Sequence, residues 1–259
     1  MKNTPGVFDR TPRHFFTGAG LASNEECQKW DELIAKESAL KAKYLTHPTP
    51  SDFTFTLRHG LPLLPSSALS YIRGKVFVDG GAFIGDSALV FLDYAPGEVW
   101  AFEPSPNNQR LFLDTMQHNH VPMERIKLIS QGLSDKAGKI CFKDTADSDC
   151  SLVAKGSTVA QLTPLDALTA DVKIGFIKTD LEGMGLAMLR GAVETLRRDR
   201  PVLSLAIYHN KEEMMGTYAF LKSLQLGYRY RVLQMAPPWE CRELFLLSWP
   251  EEFGDLRCP

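Results

Sequence analysis

From Lys75 onward the sequence alternates short, mostly apolar runs with longer amphipathic segments, and this alternation limits the fold more than any other feature. Residues 76–78 (VFV), 99–102 (VWAF), 126–129 (IKLI), 174–178 (IGFIK) and 202–207 (VLSLAI) read as strands. Runs with so few polar interruptions are buried on both faces, which implies a mostly parallel sheet covered by helices through right-handed crossovers. Helices are expected over residues 87–94, 106–119 and 183–197. The second of these opens on Ser105-Pro106, a hydroxyl N-cap followed by proline at the first helical position. Residues 228–233 and 244–249 flank Pro237-Pro238 and predict a terminal antiparallel pair. The fold class is α/β: an open, mostly parallel sheet with an antiparallel C-terminal edge.

The first seventy residues depart from this rhythm. Ser23-Asn24-Glu25-Glu26 is a capping-box signature, predicting a helix to about Tyr44 with Trp30, Leu33 and Ile34 on its apolar side. His47-Pro48-Thr49-Pro50 stops it. Phe53, Phe55 and Leu57 then alternate with Thr54, Thr56 and Arg58 in a half-buried strand pattern. The segment holds too few apolar residues for its own core, so residues 1–70 are expected to form an N-terminal cap on a main domain spanning 71–259. Residues 132–172 form an insertion on the carboxyl side of the third strand, where ligands of such sheets bind. It contains a predicted strand at 139–143 and a helix start at 163–166.

Charge and cysteine usage narrow the partners. Lys and Arg number 29 against 31 Asp and Glu, a formal charge of −2. That balance argues against a nucleic-acid or membrane-surface partner, since phosphate neutralisation needs clustered cations. Residues 1–10 lack the apolar core of a signal peptide, and no apolar run approaches the ~20 residues of a membrane span. The five cysteines are scattered without a C-x-x-C pair, as expected of reduced thiols in the cytoplasm rather than a disulfide framework or zinc site.

Residues 76–86 read VFVDGGAFIGD. A dinucleotide fingerprint G-x-G-x-x-G fails because position 82 is alanine, which counts against a nicotinamide-dependent oxidoreductase. The frame Asp79-x-Gly81-x-x-x-Gly85 fits instead, with an acid ending the first strand, a tight turn at Gly81 and a helix entered at Gly85. Such a turn suits a ligand without a pyrophosphate, and S-adenosylmethionine is one. Glu103, at the end of the second strand, is placed to accept hydrogen bonds from both hydroxyls of a ribose.

With IKTDLEGMGLAMLRG (177–191), PVLSLAIYH (201–209), AFEPSPNN (101–108) and GLSDKAG (132–138), the sequence resembles the FkbM family of S-adenosylmethionine-dependent methyltransferases. The match covers about residues 75–250, with the blocks in the family's order. The resemblance implies a Rossmann-like class I methyltransferase fold and methyl transfer to a hydroxyl oxygen, usually of a sugar or related natural product. It implies that Asp79, Gly81, Ala82 and Gly85 form the cofactor turn, that Glu103 holds the ribose with Pro104 and Ser105 beside it, and that Gly132 and Leu133 border the adenine. Asp180 and Glu182 would stand where cofactor methyl and acceptor meet. Two positions depart from the family pattern: Gly185 replaces the last acid of Asp-x-Glu-Gly-x-Glu, and Phe83 replaces a polar residue of the turn. A catalytically degenerate member that binds cofactor or a partner without turnover is the competing reading.

Methyl transfer from a sulfonium to a hydroxyl needs alignment and removal of a proton. Asp180, Glu182 and His209 are the candidates at strand ends. His209 is the expected base, because an imidazole titrates near neutrality; Asp180 is expected to orient cofactor or acceptor. No metal site is expected. His118-Asn119-His120 lacks nearby acids, and the acidic run at Asp144, Asp147 and Asp149 lacks the glycine and glutamate of a calcium loop.

Overall fold

The apolar runs become strands Val76–Gly80 (β1), Val99–Phe102 (β2) and Ile126–Ile129 (β3). Three short strands follow, Gln131–Leu133 (β4), Gly138–Phe142 (β5) and Thr158–Thr163 (β6), and then Ile174–Thr179 (β7), Val202–Ala206 (β8), Tyr228–Gln234 (β9) and Leu244–Pro250 (β10). This computed structural model describes residues 57–142, 158–234 and 243–257. The N-terminal helix and most of the strand read near residues 23–57, the acidic run around Asp147, and Pro237-Pro238 lie outside the described residues.

Seven strands form one sheet in the order β3-β2-β1-β7-β8-β10-β9. β3, β2, β1, β7 and β8 pair in parallel, while β10 is antiparallel to both β8 and β9. The chain therefore leaves β3 at one edge and returns through β7 at the centre, so the strand order switches beside β1. Crevices outside the carboxyl ends of strands at such a switch hold ligands in open α/β sheets. β1 and β8 are buried along their whole length, as sequences apolar on both faces require.

Helices Ser66–Ile72 (α1), Asp86–Leu92 (α2), Pro106–His118 (α3), Gly185–Arg190 (α4), Val193–Asp199 (α5) and Lys211–Ser223 (α6) cover the sheet. One core unites Phe77 and Phe176 of the sheet with Phe91 of α2 and with Leu61, Leu64, Ala68 and Ile72. Their rings lie 5.2–6.0 Å apart in edge and tilted arrangements, which add a small directional term to area burial. On the opposite face Val78, Ile177, Leu203 and Leu246 meet Met188 and Leu189 of α4, Leu196 of α5 and Leu221 of α6.

Four features differ from expectation. The helix read as continuous over 183–197 is two, separated at Gly191, where an added Cβ would lie 2.1 Å from the Ser134 carbonyl oxygen. The helix start at 163–166 is only a single turn, because the Asp166 carboxylate instead accepts the Glu194 and Thr195 amides and caps α5. The insertion builds a second sheet, ordered β4-β6-β5. α6 was not foreseen: Gly216 interrupts its stripe, and Met214, Met215 and Tyr218 are exposed on it. α6 and α4 approach closely at Gly216, where an added Cβ would lie 2.7 Å from Leu186 Cδ2.

Candidate functional site

β1 ends in a turn whose backbone geometry dictates its glycines. Gly81 has φ +76°, and an added Cβ would sit 2.0 Å from the Asp180 carbonyl oxygen, a backbone atom. Only glycine fits there. Gly81 and Ala82 donate to the Phe102 carbonyl of β2, and Asp180 N–H donates to Gly80, so the turn is stitched to strands on both sides. Gly85, at φ +86°, is the N-cap of α2, and a Cβ there would lie 2.5 Å from Met116 Cε. The frame Asp79-x-Gly81-x-x-x-Gly85 is thus set by sterics at both glycines. Ala82 is buried beneath the turn. Leu133 of β4 is buried against the same corner, its Cδ1 3.5 Å from a Cβ built on Gly80, with Gly132 beside it in the strand.

Beneath the turn lies a buried ion pair. Lys178 Nζ of β7 is 3.1 Å from Asp79 Oδ1, with both side chains almost inaccessible, and donates to the Gly81 carbonyl at 2.8 Å. Burial, partly offset by Lys178, pushes the Asp79 carboxyl up to about 6. Burial works against the Lys178 ammonium, but Asp79, Asp180 and Asp86 outweigh it and its pKa is raised. Asp79 Oδ2 has no hydrogen-bond partner among the described residues. Asp79 was singled out in the sequence; Lys178 was missed. Its signal was a lone lysine in the apolar run IGFIK, which a strand buried on both faces tolerates only with a partner.

Glu103 follows β2 and is 5% exposed. Its Oε2 accepts the Phe83 amide at 2.9 Å and its Oε1 accepts the Ser105 amide at 2.8 Å. Burial, against these donors, pushes its carboxyl up to about 7. Ser105 also caps α3 by accepting the Asn108 amide at 3.1 Å, and Pro104 joins the two. Phe83 has φ +46° and serves the turn through its backbone, which any side chain leaves available. Asn108 Nδ2 also donates to Oε1 at 3.5 Å, so of a carboxylate's about four acceptor positions Glu103 keeps about one for a ligand hydroxyl.

The second half of the site surrounds His209, just past β8. Nδ1 is 2.9 Å from Glu213 Oε2, and Nε2 is 3.0 Å from Asp180 Oδ1 and 3.9 Å from Glu182 Oε2. Burial would lower its pKa, but the hydrogen bonds and charges of Asp180 and Glu213 raise it to about 10. The sequence expectation of a histidine base does not fit this arrangement. An imidazolium clamped by carboxylates at both nitrogens has no lone pair to receive a proton. Burial opposes ionisation of Asp180, yet the His209 hydrogen bond, Lys178 and the Tyr208 hydroxyl hold its pKa below the usual value. Asp180 is not a helix cap, because α4 begins after Met184.

Glu213 was also missed. It reaches from α6 to accept the Gly185 amide at 2.9 Å through Oε1, and a Cβ on Gly185 would lie 2.5 Å from that oxygen. The departure Gly185 therefore coincides with a carboxylate arriving from another helix. Tyr208 and Glu243 complete the cluster: the Tyr208 hydroxyl donates to Asp180 Oδ1 at 3.1 Å and lies 3.5 Å from Glu243 Oε1. Among the described residues no group of three or more His, Cys, Asp or Glu side chains is arranged to hold a metal ion. No described helix is long and apolar enough to cross a membrane.

These acceptors fit a ligand carrying both a cation and a sugar hydroxyl. Asp79 offers an unpartnered buried oxygen, Asp180 a carboxylate beside the turn, and Glu103 spare acceptor capacity one strand away. Comparison with known proteins gives the family. The family model of the methyltransferase FkbM domain matches residues 79–231. The solved structure of methyltransferase FkbM from Methylobacillus flagellatus KT is similar with a TM-score of 0.56 and 19% identity, over 84% of this chain and 59% of that one. The chain thus spans 59% of that structure's length. An rRNA methylase from Streptococcus thermophilus is similar at TM-score 0.49 and 14% identity, over 71% of this chain and 92% of that one. Precorrin-6y C5,15-methyltransferase from Geobacter metallireducens GS-15 gives 0.49 and 11%, over 82% and 96%. No curated protein matches the sequence. With its family matched over more than half its length, the chain belongs to the FkbM methyltransferase family.

Proposed function

We propose that this protein is an S-adenosylmethionine-dependent O-methyltransferase acting on a small hydroxylated acceptor, a sugar or natural product. One observation carries the reading. Asp79, Glu103 and Asp180 end three adjacent strands around a turn that sterics confine to glycine at Gly81. The net charge of −2 supports a small acceptor over a nucleic acid or an anionic membrane.

In this reading Glu103 holds a ribose hydroxyl, supported by Ser105 and Pro104. Gly81, Ala82 and Gly85 shape the turn, and Gly132 and Leu133 flank the base. Bound S-adenosylmethionine supplies an electrophilic methyl group on a sulfonium. Asp79 and Asp180 offset positive charge near the turn. His209, held between Asp180 and Glu213, orients Asp180. Bringing acceptor and methyl into line is worth up to about 7–11 kcal/mol of barrier, far more than any single side chain here supplies.

The test is a pair of measurements on the purified chain. Thermal-shift titration with S-adenosylmethionine, S-adenosylhomocysteine and NAD is expected to respond to the first two; stabilisation by NAD alone would sink the assignment. Transfer of isotopic methyl to a panel of methyl glycosides and small alcohols is expected to give labelled ether. Cofactor binding with no transfer to any of them would favour a member that binds without turnover.

A further inference from the structure

We propose that Glu243 is the carboxylate that takes the proton from the acceptor hydroxyl. This rests on the O-methyl-transfer reading above. Glu243 immediately precedes β10, whose first residues pair with the end of β8, so it stands over the carboxyl ends of the parallel strands beside Asp180. Ile207 N–H bonds to the Leu244 carbonyl at 2.9 Å and fixes that junction.

Three neighbouring groups are already engaged: His209, Glu213 and, through Oδ1, Asp180. His209 presents a nitrogen to a carboxylate on each side. Glu213 is 1% exposed and uses one oxygen for the Gly185 amide and the other for His209. Asp180 Oδ1 lies against His209 and receives the Tyr208 hydroxyl. Because a phenol has one proton, giving it to Asp180 at 3.1 Å leaves Glu243, at 3.5 Å, the less satisfied of the two carboxylates among the described residues. Glu243 is also held at φ +59°, a conformation that costs a non-glycine residue energy and persists where surrounding structure enforces it.

The groups facing Glu243 are Tyr208 and His209 after β8, and Asp180 and Lys178 at the end of β7. Burial and Asp180, against His209 and Lys178, push the Glu243 carboxyl up to about 7, where a base is both ionised and able to hold a proton. In the step, the acceptor O–H proton passes to a Glu243 oxygen while the acceptor oxygen's electron pair forms the bond to the methyl carbon. The carbon–sulfur bond breaks with its electron pair on sulfur, leaving a neutral thioether, an ether and a protonated Glu243.

Glu243→Gln, Glu243→Asp and the wild type are compared for S-adenosylmethionine affinity by calorimetry and for methyl transfer to methyl glycosides and small alcohols across pH. Carboxyl titration is followed by NMR with δ-carbon-labelled glutamate. Expected are affinities within about twofold, turnover of Glu243→Gln lowered about 10²–10⁴-fold, loss of the rate limb rising near pH 7, and partial recovery in Glu243→Asp. Two glutamate resonances titrating near 7, from Glu103 and Glu243, are expected in the wild type and only one in Glu243→Gln. An active wild type whose Glu243→Gln variant keeps its rate and pH limb overturns the base assignment alone, as does a wild type in which no resonance lost in that variant titrates above about pH 6. A wild type that transfers no methyl to any probe overturns the transfer reading and the base assignment with it.

Discussion

The two halves of the site are built on different principles. The β1–β2 half is local and backbone-driven: a glycine turn, an N-capped helix and a carboxylate fed by two main-chain amides. The β7–β8–β10 half is a cluster of side chains from separate elements: Asp180, Tyr208, His209, Glu213 and Glu243. Their glycines express the same contrast. A Cβ at Gly81 meets a backbone oxygen at 2.0 Å, whereas one at Gly183 meets the Asn210 side-chain amide at 2.5 Å. Backbone cannot yield and an amide tip can. The first half is therefore fixed by covalent geometry, and the second by electrostatic balance that a change of pH or of one residue shifts.

The largest effect should come from the point where the halves are tied. Lys178→Met leaves Asp79 buried without its cation, and breaking a buried pair in this way costs about 3–5 kcal/mol. Chemical denaturation of the variant should show that loss as a lower midpoint, with cofactor-induced stabilisation weakened as the turn loses its bond to the Gly81 carbonyl. A loss under about 1 kcal/mol would mean that the turn stands without its support from β7.

A smaller and pH-dependent effect is expected at His209. Its pKa is raised from an ordinary 6.5 to about 10 by Asp180 and Glu213. The stabilisation is fully present below the unfolded value and disappears as pH rises through the folded one. His209→Asn should therefore destabilise by about 1.5–3 kcal/mol at pH 6, as expected for hydrogen bonds to charged groups. The gap to the wild type should narrow steadily toward pH 10. Denaturation midpoints at four or five pH values measure it, and a gap that widens with pH would show that His209 is neutral in the native state.

The same contrast explains what could be read from sequence. The parallel strands, the antiparallel edge, the Ser105 cap and the Asp79–Gly85 frame are all carried by residues close in sequence, where periodicity and turn chemistry speak directly. Glu103 was legible because it is one strand away at a fixed place. Lys178 was written inside an apolar run, but its partner lies on another strand, and nothing local says which one. Glu213 and Glu243 were illegible for a stronger reason. Each reaches Asp180 or His209 from an element whose placement follows only from the sheet order, and α6 itself was hidden by Gly216 and its exposed Met215. His209 was found, and its titration misjudged, because the carboxylate on its far side comes from that unseen helix.

The least effect should come from Phe83, the residue of the turn that departs from the family pattern. At φ +46° a phenylalanine is strained, whereas asparagine occupies this region more readily. What the position gives Glu103 is its amide, 2.9 Å from Oε2, and that donor survives any replacement except proline. Relief of backbone strain and loss of the ring's partly buried surface act in opposite directions, each by about 1 kcal/mol. Phe83→Asn should therefore change stability by less than about 1 kcal/mol, and cofactor affinity by less than the tenfold that 1.4 kcal/mol represents. Calorimetric titration with S-adenosylhomocysteine decides the matter. A tenfold loss of affinity would show that the aromatic ring itself meets the ligand, making this half of the site as dependent on side chains as the other.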